Sequence, residues 1–252
     1  FRSGLAADAA RPPDLVVWPE TMWQMSLLEI DPEVRFPEAE IESVLGPATA
    51  SSPDSAAERQ GRYRTLLSRQ RLEALAPFAA RYGTTWLVGL DRQRLLAADP
   101  LRWETFNSAL FLDASGRALA CYDKMHPVMF GEYVPLADRF PWLYRLTPLP
   151  GGLTAGRDPV AVEVAGRRVA PIICYETALP AALRSLVRQL TGAAERPDVI
   201  VNLTNDGWFW GSSELDMHLA CGIFRAVEVR TPLVIAANTG FSAWIDGSGR
   251  LL

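Results

Sequence analysis

Glu20 in DLVVWPET, Lys124 in CYDKMHPVMFGEYVPL and Cys174 in VAPIICYET each stand beside a strand-like apolar run. A carboxylate, an ammonium and a thiol are together the parts needed to make, hold and break a thioester. The carboxylate takes the thiol proton, the thiolate attacks a carbonyl or nitrile carbon, and the ammonium stabilises the resulting oxyanion. Each residue alone has a plainer reading: a strand-end Cys is usually core, a lone Glu is usually a surface acid, and a hairpin Lys usually faces water. The three together, with ICYE around the thiol, reverse those odds. Glu132, eight residues after Lys124, is a second acid able to hold the ammonium or an incoming amine.

The elements that must position these groups can be read from apolar runs and turn formers. Strands are expected at 14–18, 84–90, 107–113, 168–174, 198–203 and 233–238. Several are continuous apolar runs, as in sheets covered on both faces. Helices are expected at 55–82, with Gly83 as its stop, at 178–191 and at 213–230, where Arg225 and Glu228 are spaced for an i,i+3 pair. Cys174 then falls at a strand-to-helix junction, near the backbone N–H of Tyr175, and Glu20 at the mouth of a strand with Pro19 fixing the backbone. Two long segments, 31–54 with four prolines and 135–160 with PWLYRLTPLPGGLTAG, read as irregular. Phe140, Trp142, Leu143 and Tyr144 make the second either a lid or substrate wall, or a minor buried cluster. The polar run NLTNDGWFWG at 202–211 has a supporting part, whereas the helix holding His218 reads as mainly structural.

Composition narrows the classes. The 252 residues are 49% hydrophobic and 21% charged with net charge −4, and no basic stripe exists for nucleic acid. Three cysteines without a CxxC and only two histidines support neither a disulfide framework nor a zinc site, so no metal or cofactor is expected; Cys121 and Cys221 read as small apolar residues. No run approaches the ~18 apolar residues of a membrane span, and the first residues lack a signal peptide's basic start and apolar stretch. The chain reads as one soluble domain, with no linker and no repeat.

The stretches VVWPET, YDKMHPVMFGEYVPL, PIICYE, NLTNDGWFWGSS with His218 and FRAVEVR after it, and NTGFSAWIDGSG, in that order from residue 14 to residue 249, resemble the carbon–nitrogen hydrolase (nitrilase) superfamily. Within it, they are most similar to the extracytoplasmic domain of the bacterial apolipoprotein N-acyltransferase family. The resemblance implies one α/β domain over 1–252, a nitrilase-like α-β-β-α sandwich, with Glu20, Lys124 and Cys174 as its triad. It implies supporting or substrate-binding parts for Glu132, Tyr175, Glu176, Trp208 and Phe130. It further implies ping-pong transfer of an acyl chain from a phospholipid to the α-amino group of a diacylglyceryl-cysteine on an apolipoprotein, at the periplasmic side of the bacterial inner membrane.

Apolar bulk at Met129, Phe130, Trp142, Leu143, Trp208, Phe209 and Trp210 suits acyl chains better than small amides. The family's N-terminal membrane domain, the strand before WPE and the last strands are absent, which makes a fragment truncated at both ends the expectation. Met217 and Ile235 stand where relatives often carry Gln and Arg. The alternatives are a soluble nitrilase-type amidase hydrolysing small C–N bonds, and a catalytically silent nitrilase-like domain that only binds lipid or protein.

Overall fold

The computed structural model describes residues 13–47, 55–98, 100–137, 139–149 and 151–252. The N-terminal residues 1–12 and the small-residue segment 48–54, both considered above, lie outside the described residues. Two sheets carry the fold. The first orders β1 (Leu15–Ile30), β2 (Thr85–Leu96), β3 (Arg102–Leu112) and β4 (Ala118–Asp123), with β1 parallel to β2 and the remaining pairs antiparallel. The second orders β5 (Val162–Val164), β6 (Arg167–Ile173), β7 (Val199–Asn205), β8 (Leu233–Asn238) and β9 (Ala243–Ile245), with parallel β6, β7 and β8 at its centre.

Alternate side chains of β2 and β3 enter different cores, which is why these strands read as unbroken apolar runs. Leu87, Ala109 and Phe111 join Ile173, Val201 and Leu203 of the second sheet in one core. Trp86, Val88, Leu90, Leu110 and Leu112 point the other way, onto Leu75 and Ala79. The helices α1 (Glu38–Leu45), α2 (Ala56–Glu73) and α3 (Ala76–Tyr82) precede β2; α4 (Pro180–Gly192) and α5 (Glu214–Val229) follow β6 and β7. Leu183, Leu186 and Ala226 of α4 and α5 close the far side of the second sheet. The layers are therefore the α-β-β-α sandwich that the sequence implies.

Several boundaries differ from the sequence reading, each for a local reason. The expected helix 55–82 is two helices, broken where Leu75 turns inward to full burial just before Pro77 at the second position of α3. Segment 31–54 is not wholly irregular: α1 forms in it, with Ile41 buried and Tyr63 of α2 donating to Glu40 at 2.7 Å. In segment 135–160 a 3-10 turn covers Pro141–Leu146, with Phe140, Trp142 and Leu146 exposed, which removes the buried-cluster reading. The short strands β5 and β9, three residues each, were too brief to leave a period-2 signal. Among the described residues, no helix is long and apolar enough to cross a membrane.

Candidate active site

Glu20 sits inside β1 rather than at its mouth, because the strand breaks and resumes. Pairing with β2 runs from Leu15 to Trp18, then jumps to Trp23 opposite Leu90, so that five residues of β1 face two of β2. Thr21 takes a left-handed φ of 48° in this bulge, and a bulge re-aims the side chains it contains. Gly89 makes room for it: a Cβ there would fall 2.2 Å from the Pro19 carbonyl oxygen and 2.7 Å from the Glu20 Cα.

The carboxylate so presented is buried, at 5% exposure, yet fully engaged. Oε1 accepts from Asn107 Nδ2 at 2.7 Å, and Oε2 from the Asn205 backbone N–H at 2.8 Å, which ties the two sheets together at this point. Burial raises its pKa, and the Lys124 charge and these hydrogen bonds only partly offset that.

Lys124 follows β4 and is 1% exposed. Its backbone is held at both ends, N–H to the Asn107 carbonyl at 2.8 Å and C=O from Gly156 N–H at 2.8 Å. The ammonium lies 2.7 Å from Glu132 Oε1 and 3.5 Å from Glu20 Oε1. Glu132 is itself fixed by the Val128 N–H at 2.7 Å. Burial works against the charge on Lys124, but the negative charges of Glu20 and Glu132, with that of Cys174 whenever the thiol ionises, outweigh it and raise the pKa. The ammonium therefore stays charged.

Cys174 follows directly on β6 and opens a 3-10 turn, Cys174–Ala178, before α4. Its φ of 49° is left-handed, a conformation that costs a non-glycine residue about 1–2 kcal/mol and persists only where neighbours over-determine it. One neighbour is Glu176, 3% exposed, which accepts from the Ile173 N–H at 2.8 Å, the Met125 N–H at 2.8 Å, the His126 N–H at 3.1 Å and the Tyr122 hydroxyl at 2.8 Å. Glu176 thus ties the strand end carrying Cys174 to the loop carrying Lys124. Its lone pairs are spent on the protein.

Burial, then the charge on Glu20, push the Cys174 thiol up to about 12, while Lys124 and a hydrogen bond with the Thr204 hydroxyl pull the other way. Cys121 reaches about 12 as well, so the shift alone singles out neither thiol. What separates them is place. Cys174 has Glu20, Lys124, Thr204 and Glu132 as its electrostatic neighbours, whereas Cys121 packs against the first sheet's helix-side core.

Several of the remaining residues singled out in the sequence are close in the chain to groups of this centre. Tyr175 is 39% exposed beside the thiol, Trp208 and Trp210 are 78% and 93% exposed just after Asn205, and Phe130 is 64% exposed in the turn closed by Glu132. Phe209 instead turns its ring edge-on to His218. Asn107, Asn205, Thr204 and Asp206 were not singled out. The dense polar run at 202–211, which ends β7 and continues past it, was the available signal for the last three, while Asn107 sits unremarkably in a strand. Among the described residues, no cluster of three or more His, Cys, Asp or Glu could hold a metal ion.

Comparison with known proteins bears on the family and the fold. The carbon-nitrogen hydrolase family profile matches residues 4–252. The apolipoprotein N-acyltransferase of Bradyrhizobium diazoefficiens is 41% identical over 171 residues, 67% of this chain and 30% of that protein. That of Geobacter metallireducens is 39% identical over 192 residues, 71% of this chain and 36% of that protein. The chain thus spans about a third of the length of these relatives. Among solved structures, a variant of the amidase from Nesterenkonia sp. AN1, carrying covalent addition of an acetamide moiety at its active site cysteine, superposes with a TM-score of 0.54 at 16% identity. It covers 99% of this chain and 74% of that one. A carbon-nitrogen hydrolase superfamily protein from Xanthomonas campestris gives 0.51 at 21% identity, covering 99% of this chain and 76% of that one. At such identities these structures speak for the fold alone.

Proposed function

The chain belongs to the carbon-nitrogen hydrolase family, and from that premise we propose that it is the catalytic portion of an apolipoprotein N-acyltransferase, working through a Cys174 thioester. In the first half-reaction Glu20 takes the thiol proton as the sulfur attacks the ester carbonyl of a phospholipid. The Lys124 ammonium faces the developing oxyanion. Collapse of the tetrahedral adduct breaks the ester C–O bond, and Glu20 returns its proton to the departing lysophospholipid oxygen. In the second half, the α-amine of a diacylglyceryl-cysteine attacks the thioester, Glu20 removes the amine proton, and collapse leaves an amide and a free thiol.

A thiol near 12 does not ionise by itself at neutral pH. Attack is therefore coupled to proton transfer, and a carboxylate with a raised pKa is the better-matched acceptor. Glu132 keeps Lys124 charged and aimed, so the ammonium need not be recruited during the reaction.

The observation that carries acyl transfer over amide hydrolysis is the exposure of Trp208, Trp210, Tyr175 and Phe130, each a few residues from a group of the site. The backbone of the loop bearing the two tryptophans is bonded to Glu20, and the turn bearing Phe130 is bonded to Lys124 through Glu132. Apolar surface at the mouth of a site gives an acyl chain something to bury, at roughly 0.8 kcal/mol per methylene, and a small amide would gain little from it. The names of the relatives support N-acyl transfer to a lipoprotein acceptor; to this the reading adds a phospholipid donor and action at the periplasmic face of the bacterial inner membrane. The test is product analysis with vesicles of one phospholipid carrying a labelled acyl chain, with and without a diacylglyceryl-cysteine peptide. Label on the peptide amine is expected. Free labelled fatty acid alone, unaffected by the peptide, would favour a hydrolase instead.

A further inference from the structure

His218, in the second turn of α5, is 8% exposed and stands behind the nucleophile rather than in front of it. Its Nε2 lies 3.3 Å from the Cys174 carbonyl oxygen and its Nδ1 lies 3.0 Å from Asp206 Oδ1. A carbonyl and an ionised carboxylate only accept hydrogen bonds, so both ring nitrogens must donate. We propose that His218 is held as an imidazolium whose two N–H groups bind the Cys174 carbonyl to Asp206, making it the positioning residue for the nucleophile's left-handed turn. This rests on the reading of Cys174 as the nucleophile.

The need for such a residue follows from the strain at Cys174. Glu176 restrains the peptide N–H just before the thiol, at Ile173, and His218 restrains the carbonyl just after it. With both ends fixed, the side chain is presented in one orientation. Asp206 also accepts from the Thr204 hydroxyl at 2.7 Å, and that hydroxyl is the one bonded to the thiol. Thr204 therefore stands between the thiol and the Asp206–His218 pair. Gly240 closes the back of this arrangement, where a Cβ would fall 2.5 Å from Asp206 Oδ2. The charged groups facing the imidazole are Asp206 from the turn after β7 and Glu20 from β1; burial opposes its charge, and these with the Cys174 carbonyl raise its pKa.

Two measurements test this. Ring ¹⁵N spectra of the wild-type protein at pH 7.5, assigned with a His126→Gln variant because the chain has two histidines, should show His218 protonated on both nitrogens, where a free imidazole near 6.5 is mostly neutral. A single ring proton would overturn the proposal, and this readout needs no altered site. In the second, His218→Ala should lower kcat by about 10- to 100-fold with KM changed less than about twofold, and His218→Gln, able to donate to one partner, should recover part of it while losing only the imidazolium's share of the alkaline decline, the Lys124 limit staying in place. Unchanged kcat and pH profile in both variants would overturn the positioning role while leaving Cys174 as nucleophile. An inert Cys174 in the wild-type protein would overturn the parent reading instead.

Discussion

Gly89 lies so close to Glu20 that a single added methyl carbon would sit 2.7 Å from the Glu20 Cα. The contact is with backbone, which cannot swing aside, so Gly89→Ala must push the β1 bulge away from β2. Overpacking of this kind costs about 1–3 kcal/mol. The variant should fold with a lowered melting temperature and lose at least about tenfold in kcat, because the carboxylate moves with the bulge. Thermal denaturation and steady-state kinetics check both, and a stable variant with full activity would mean that Glu20 does not need this position.

The bulge also shows where sequence reasoning reached its limit. β4, just before Lys124, was not among the expected strands and Glu132 lies in a turn, whereas Cys174 and β6 were legible because an apolar run ending in a reactive residue is a local pattern. The Arg225–Glu228 pair was legible for the same reason, and the structure places it at 3.1 Å. The continuation of β1 through Pro19 and Glu20 was not, since Pro normally ends a strand and only the neighbouring Gly89 makes the detour fit. Asn107 and Asn205 meet on Glu20 from different sheets, across long separations in sequence that leave no local trace. His218 read as a structural helix residue because its partners, Asp206 and the Cys174 carbonyl, come together only when α5 packs behind the second sheet.

Glu132→Gln keeps the shape of the side chain and removes the charge lying 2.7 Å from the Lys124 ammonium. Because that charge helps hold the Lys124 pKa up, its loss lets the pKa fall, so the ammonium is lost at a lower pH than in the wild type. The expected result is a kcat reduced about 10- to 100-fold, with the alkaline limit of the pH–rate profile moved down. An alkaline limit that stays in place would separate Glu132 from Lys124.

Glu176→Gln should act through folding more than through chemistry. One carboxylate oxygen becomes an NH₂ group facing N–H donors from Ile173, Met125 or His126, and each donor left unpaired in the interior costs about 1–3 kcal/mol. A loss of about 1–3 kcal/mol in urea unfolding is expected if the NH₂ faces Ile173, and about 2–6 kcal/mol if it faces Met125 and His126. Tyr122→Phe removes one hydroxyl donor only and should cost about 1 kcal/mol. Equal effects from the two variants would contradict the role of Glu176 as the tie between the Cys174 and Lys124 segments.

The buried thiols give stability a defined alkaline dependence. Cys174 and Cys121 are raised in the fold from 9.0 to about 12, so between those values the folded chain binds more protons than the unfolded one. Their contribution is complete below about 9 and is lost as pH rises toward about 12. Cys174→Ala should therefore flatten part of the decline in melting temperature above pH 9 and leave stability near pH 7 little changed. A steeper alkaline decline in the variant would reverse the sign of the argument.

The central claim is that Cys174 carries the acyl group. Intact-mass and peptide mass spectrometry of the protein incubated with phospholipid vesicles, without an amine acceptor, tests it most directly. The predicted result is a mass increase of one acyl chain on the peptide containing Cys174, released by hydroxylamine, absent from Cys174→Ala, and formed orders of magnitude more slowly in Glu20→Ala and Lys124→Ala. An acyl adduct that persists in Cys174→Ala, or that forms at the wild-type rate without Glu20 or Lys124, would contradict the account.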